Sequence, residues 1–237
     1  MSCFQIRPMQ PRRKLIVFVG LDGSGKSTQA QLLRERLEHT GHRAVYFWAR
    51  RVPWLLALPV AWFKKCLLRE SSRSDGEGYV AISHRRQRWL RFRLVRFCWS
   101  RTLLLEYAVL LRWRMLRHGR GCEYLIADRY LPDALVDLAA SAPEPARELR
   151  QLQAGLVSRL FPRPDALFVL DIVPERGWQR KRDGTSLEYL LDRRPLYRAL
   201  ADSFPNAYIL DGGQPIAQVA QLACGHLAEL AENKPDA

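Results

Sequence analysis

The sequence predicts an α/β fold, a doubly wound five-stranded parallel sheet, and three observations carry that prediction. Short apolar runs alternate with stretches of helical periodicity, the pattern of parallel strands joined by crossover helices. The first run opens directly into a glycine-rich loop of the spacing G-x-x-x-x-G-K-[ST], from Gly20 to Ser27. Two later runs end in aspartate, at Asp128 and Asp171, where open α/β sheets meet their ligands.

The first strand is Leu15, Ile16, Val17, Phe18 and Val19, an uninterrupted apolar run of the kind that is buried on both faces. A phosphate chain is wrapped by consecutive backbone N–H groups. The loop after the strand therefore needs residues that tolerate unusual φ/ψ and bring no Cβ into the way, and Gly20, Gly23 and Gly25 meet that need. In this pattern Lys26 reaches the β- and γ-phosphates as a point charge and the Ser27 hydroxyl ligates Mg²⁺. Ser24 and Thr28 complete the loop set, and the helix patterned by Gln29, Leu32, Leu33, Arg36 and Leu37 aims its positive end at the anion.

The 237 residues are enough for one well-filled core, and 48% hydrophobic residues supply it. A formal charge of +14 favours anionic ligands: nucleotides, nucleic acid or acidic lipid head groups. Five scattered cysteines, Cys3, Cys66, Cys98, Cys122 and Cys224, show no C-x-x-C spacing, which argues against a disulfide framework or a zinc site and for a reducing, cytoplasmic setting. Residues 1–13 carry no apolar core of a signal peptide and read as a flexible basic arm, with Pro8 and Pro11 opposing regular structure. No window holds the ~18 apolar residues of a membrane span.

Along the chain, Gly41 stops the first helix near Thr40, and residues 43–48 read as a second strand. Arg50 and Arg51 follow that strand, either as phosphate contacts or as solvated surface arginines. The apolar segment 52–68, with Pro53, Pro59 and a Lys64–Lys65 pair, is compatible with a buried helix beside the lid or with an interfacial segment on an anionic membrane. Residues 71–78 form a polar loop. From 83 to 118 arginines interleave with large apolar residues, and helical periodicity is clear only over 104–116. Basic residues among rings suit single-stranded nucleic acid, but more often mean long helices whose arginine stems cover apolar surface.

Residues 124–127 are the third strand, ending at Asp128, Arg129 and Tyr130. A carboxylate at that edge holds Mg²⁺ or its water opposite the loop hydroxyl, and Arg129 then faces a substrate phosphate. Alternatively Asp128 caps the helix that begins at Pro132. An amphipathic helix is expected over 147–160, a fourth strand over 166–170 and a dense basic run over 173–183, with Arg176, Arg180, Lys181 and Arg182. That run reads as a phosphoryl-transfer lid, whose cations close over developing charge, or as a solvated basic helix. A helix capped by Ser186, a fifth strand over 207–210 and a closing helix over 216–231 end the pattern.

The stretches GLDGSGKSTQ at 20–29, ADRY at 127–130, LDIVPERGWQRKR at 170–182 and YILDGGQPIAQV at 208–219 resemble the thymidylate kinase-like members of the P-loop nucleoside monophosphate kinases. The resemblance implies a P-loop NTPase fold with a short basic lid at 174–185, in a single kinase domain over 14–237 whose residues 52–118 form a divergent helical acceptor-side region. It implies ATP and Mg²⁺ at residues 20–28, with Ser27 and Asp128 at the metal and Asp22 near the acceptor's sugar. Lys26, Asp22, Arg129, Arg180 and Arg182 are then the catalytic set, and Asp22, Arg50 and Arg129 hold the acceptor. A homodimer through long helices such as 103–117 is also implied. The chain departs from the family after its second strand, where Ala49, Arg50, Arg51, Val52 and Pro53 stand in place of Thr-Arg-Glu-Pro-Gly. It also lacks the thymine-reading Ala-Asp-Arg and Ala-Tyr-Gln, so Glu106, Asp133 and Asp137 are candidates for reading the hydroxyl groups of another acceptor.

The expected activity is transfer of the ATP γ-phosphoryl group to a nucleoside monophosphate, dTMP first. One alternative is a P-loop kinase for a sugar, phosphosugar or lipid-linked alcohol. Another is a nucleotide-dependent protein bound at an anionic membrane or, less favoured, at nucleic acid.

Overall fold

The computed structural model describes residues 13–49, 93–181 and 185–232. Arg50, Arg51, Arg182 and the segments 52–68 and 71–78 lie outside the described residues, as does the first part of the arginine-aromatic stretch. Within them, β1 (Lys14–Gly20) is the central strand of a parallel sheet of order β2-β3-β1-β4-β5. The other strands are β2 (Ala44–Trp48), β3 (Tyr124–Asp128), β4 (Ala166–Asp171) and β5 (Ala207–Asp211). Helix α1 (Lys26–His39) joins β1 to β2, and α2 (Arg93–His118) precedes β3. Helices α3 (Leu131–Ala139) and α4 (Pro145–Ala154) lead to β4, α5 (Pro174–Arg180) and α6 (Leu187–Ala201) to β5, and α7 (Ile216–Glu232) closes the described chain.

Strand side chains alternate between faces, and both faces of β1 are covered, so it is apolar at consecutive positions from Leu15 to Val19 rather than at every second one. Leu15, Val17 and Val19 join a core with α2, α3, α4 and α6, whereas Ile16 and Phe18 join a second core with Ala30 and Leu33 of α1 and Val219 and Ala223 of α7. The register pairs Phe18 with Asp128 and Gly20 with Leu170, so the ends of β1, β3 and β4 lie side by side at one edge. The phosphate loop, Arg129 and the basic run after β4 therefore start from neighbouring points.

Several expectations needed correction at element ends. The single helix expected over 147–160 is α4 followed by a 3₁₀ turn (Leu156–Leu160), parted at Gly155 in extended backbone. The Leu152 carbonyl, which a continuing helix would offer to residue 156, is taken by the Gly155 N–H at 3.3 Å and the Ser158 hydroxyl at 2.6 Å. Asp128 does not cap α3. That helix starts at Leu131, and Asp133 Oδ2 accepts from the Tyr130 N–H at 3.1 Å. Helix is present from Arg93, before its pattern is clear, because apolar residues in this stretch lie on the solvent side: Leu94 and Phe97 are exposed, the latter with the Arg101 guanidinium 4.8 Å from its ring. Ser186 does cap α6, accepting from the Tyr189 N–H at 3.2 Å. Among the described residues no helix is long and apolar enough to cross a membrane.

Gly20 has φ +138°, and a Cβ there would overlap the Leu170 carbonyl oxygen. Gly20→Ala should cost about 2–4 kcal/mol, lowering Tm by roughly 5–15 °C. Gly41→Ala, at φ +85° with nothing within 4 Å, carries strain without a clash, and should cost only about 1–2 kcal/mol. Thermal denaturation of the two variants checks the difference.

Candidate functional site

The loop after β1 is shaped by close backbone approach. At Gly23 a Cβ would overlap the Gly177 carbonyl oxygen, and at Gly177 it would lie 2.8 Å from the Asp22 carbonyl oxygen. Helix α5 thus lies directly on the phosphate loop. On the other side a Cβ on Gly212, in the turn after β5, would lie 2.9 Å from the Ser24 carbonyl oxygen. The partly open cleft between them has a volume of about 580 Å³. Its wall includes the loop residues from Asp22 to Gln29, Trp48, Arg129, the Arg180–Lys181 pair and, from the turn after β5 onward, Gly212, Gln214, Ile216 and Val219.

The α1 helix begins at Lys26, so the unpaired N–H groups of its first turn and its positive dipole end belong to the loop. No acidic residue occupies that turn. Lys26 is buried, and its Nζ folds back to donate to the Leu21 carbonyl at 2.6 Å. Burial, with the Arg129 charge nearby, pulls its pKa below the ordinary lysine value. Ser27 and Thr28 are exposed on the cavity wall, while the Ser24 hydroxyl is buried with no hydrogen-bond partner among the described residues.

Asp22 is the hub of the charged groups. Its Oδ1 accepts a hydrogen bond from Arg129 Nη2 and lies 3.7 Å from Lys26 Nζ, and its Oδ2 lies 3.6 Å from Lys181 Nζ. Burial raises its pKa, but Lys26, Arg129 and Lys181 outweigh that and hold the carboxyl below the usual range. Arg129 is the only non-glycine among the described residues with positive φ, at 69°. Its N–H donates to the Phe18 carbonyl at 2.9 Å, and its guanidinium stands between Asp22 and Asp133, the latter at 3.9 Å. Although burial opposes the charge, Asp133 and Asp22 prevail and raise the arginine pKa further.

Asp128 lies behind the cavity rather than on its wall. It is 1% exposed, and its Oδ2 accepts from the Tyr46 hydroxyl at 3.0 Å. Its Oδ1 has no hydrogen-bond partner among the described residues. A buried carboxylate oxygen left unpaired in this way fits an all-oxygen Mg²⁺ site with Ser27 and phosphate oxygens, the donor set that ion takes. No three His, Cys, Asp or Glu side chains gather elsewhere among the described residues as a metal cluster.

Of the residues expected at the site, the loop set, Asp22, Arg129 and Arg180 share the cavity wall, Arg180 with its Nη1 donating to the Gly212 carbonyl at 2.8 Å. Arg50 and Arg182 lie outside the described residues. Asp137 accepts from the Tyr189 hydroxyl and Arg193, each at 3.1 Å, and Glu106 is buried on α2. Asp171 is held by Arg194 in a two-pronged ion pair at 2.8 and 3.0 Å. Tyr46, Trp48 and Gly177 escaped the sequence reading as site residues, whereas Lys181 was among the cations of the basic run read as a lid.

No family model matches the chain. It is 29% identical over 232 residues to the thymidylate kinase of Dinoroseobacter shibae, an alignment covering 92% of this chain and 97% of that protein.

Tyr46→Phe removes the hydroxyl that Asp128 Oδ2 accepts from and should cost about 1–3 kcal/mol, the price of a buried charged acceptor left unpaired. A lower urea midpoint with an unchanged m-value would show it.

Proposed function

We propose that this thymidylate kinase-like phosphotransferase is a nucleotide kinase that moves the γ-phosphoryl group of ATP onto the phosphate of a nucleoside monophosphate, with dTMP as acceptor. The observation that carries the reading is the convergence of Lys26, Arg129 and Lys181 on Asp22, beside the glycine-rich loop. Three buried or half-buried cations share this one loop carboxylate, beside the unpaired N–H groups at the start of α1, so a phosphate chain can take over contacts that Asp22 now divides among them. The relative from Dinoroseobacter shibae, similar over nearly its whole length, supports dTMP.

In this reading the loop N–H groups and Lys26 hold the donor phosphates, and the base lies toward the apolar side chains of Ile216 and Val219 on the cavity wall. Arg129, with Arg50, binds the acceptor phosphate, and Asp22 lies near its sugar. An acceptor phosphate oxygen forms a bond to the γ-phosphorus, the bond to the bridging oxygen breaks, and ADP leaves with that electron pair. Charge spreads over the three equatorial oxygens of the transferring group, so Lys26 and the lid cations Arg180, Lys181 and Arg182 stabilise it most at that moment. Mg²⁺, held by Ser27 and Asp128, would supply further neutralisation of the phosphates. Asp22 holds Lys26, Arg129 and Lys181 in place until phosphates take over their charges.

The same reading makes the protein a cytoplasmic enzyme, supported by the free thiols of Cys98, Cys122 and Cys224. It also makes it a homodimer. Leu105, Val109, Trp113 and Leu116 form an exposed apolar stripe along one side of α2, at the spacing of a helix face that packs.

Labelled ATP with Mg²⁺ offered to dTMP, dUMP, CMP, UMP, AMP and GMP tests the activity. Transfer to dTMP is expected, with kcat in Lys26→Ala reduced on the order of 10²–10³. Full turnover by Lys26→Ala would sink the mechanism. Transfer to a sugar or lipid-linked alcohol but to no nucleotide would keep the loop chemistry and replace the acceptor. Sedimentation is expected to give a dimer that Val109→Glu dissociates without loss of fold.

A further inference from the structure

We infer that Tyr197, acting through Asp133, is a positioning residue for Arg129. The inference rests on the reading of Arg129 as the acceptor-phosphate ligand and concerns what holds it there. Arg129 follows β3 in a left-handed backbone conformation, so its side chain is aimed by contacts rather than by a regular strand or helix. Two carboxylates face its guanidinium. Asp22 belongs to the phosphate loop and is shared with Lys26 and Lys181, so its hold changes when phosphates arrive. Asp133 is the other, and it is buried.

Asp133 is fixed from two sides. Its Oδ2 accepts from the Tyr130 N–H at 3.1 Å, and its Oδ1 accepts from the Tyr197 hydroxyl at 2.7 Å. Oδ1 is also the oxygen 3.9 Å from Arg129 Nη1. Tyr197 is itself buried, on α6, across from α3 and 64 residues away in sequence. The hydroxyl orients the carboxylate, and the carboxylate supplies the guanidinium with a fixed partner independent of the loop. When Asp22 yields Arg129 to a phosphate, Asp133 keeps the arginine in register.

The charge state of Asp133 is part of the device. Burial pushes its carboxyl up to about 6, against the opposing pull of Arg129, Lys26 and the Tyr197 hydrogen bond, with Asp137 adding a smaller upward push. Above that pH the carboxylate is present and holds Arg129, and below it the hold is lost. Loss of the tyrosine hydroxyl removes a bond to the charged form and so moves the titration to higher pH.

Tyr197→Phe keeps the ring and removes only the donor. The expected result is a rise of about tenfold in the acceptor KM, with ATP affinity unchanged, and an acid limb of kcat/KM displaced upward from its wild-type position near pH 6. In an Arg129→Ala background the same change should have no further effect on the acceptor, because the tyrosine acts through that arginine. A hydrogen bond that merely pins α6 to α3 would instead lower donor and acceptor parameters together, leave the acid limb unmoved and add to Arg129→Ala, and that result overturns the inference. The Arg129 guanidinium NMR signal, assigned by its loss in Arg129→Lys, gives a readout that needs no turnover. It should be ordered in the wild type and averaged in Tyr197→Phe and Asp133→Asn. A wild type that phosphorylates nothing would defeat the kinase reading alone, whereas an Arg129 signal unmoved in both variants would defeat this inference alone.

Discussion

Three cations packed against one glycine-rich loop need a counter-charge, and here one carboxylate supplies it. Asp22 accepts from Arg129 and lies within 3.7 Å of Lys26 and Lys181. Without it, three positive groups packed against a half-buried loop would repel one another in a medium that screens poorly. With it, the lysine from α1, the arginine after β3 and the lysine after α5 are drawn to one point from three different parts of the chain. The loop, helix α5 and the end of β3 meet at that point.

The charges can meet because the backbones come unusually close. Gly20 lies against β4 at Leu170, and Gly23 and Gly177 let helix α5 rest on the loop. A phosphate loop with no Cβ at these points both exposes its N–H groups and allows its neighbours to approach from either side. The closeness and the electrostatics support each other: Lys181 reaches Asp22 only because α5, which it follows, is seated directly on the residue after Asp22.

Beneath the cavity is a second tier of polar groups that the loop motif does not foretell. Tyr46 reaches Asp128 from β2, and Tyr197 reaches Asp133 from α6. Each tyrosine satisfies one oxygen of a buried aspartate at or just after the end of β3. Buried carboxylates are expensive unless hydrogen bonds orient them. Asp128 retains one oxygen with no hydrogen-bond partner among the described residues, and Asp133 retains Arg129 as an ion-pair partner.

The alternation of apolar runs and helical periods was enough to place five parallel strands, because a strand buried on both faces must be apolar at consecutive positions, as residues 15–19 are. The loop was legible because wrapping a phosphate demands glycines and a lysine at fixed spacing, a local requirement written in consecutive residues. Asp128 and Arg129 were legible as the ends of a strand. The break at Gly155 and the helix already present at Arg93 were not, since both depend on what lies across from them: a serine hydroxyl and an arginine taking helix carbonyls in one case, and apolar residues left facing solvent in the other. Least legible were Tyr46 and Tyr197, whose partners are 82 and 64 residues away by number, and the pairing of Lys181 with Asp22, 159 residues away. The sequence by itself determined which backbone could cradle phosphate, because that chemistry is local. Only the tertiary structure decided which cations and hydroxyls surround the cradle, because side chains from β2, α5 and α6 meet there solely through the packing of the sheet and its helices.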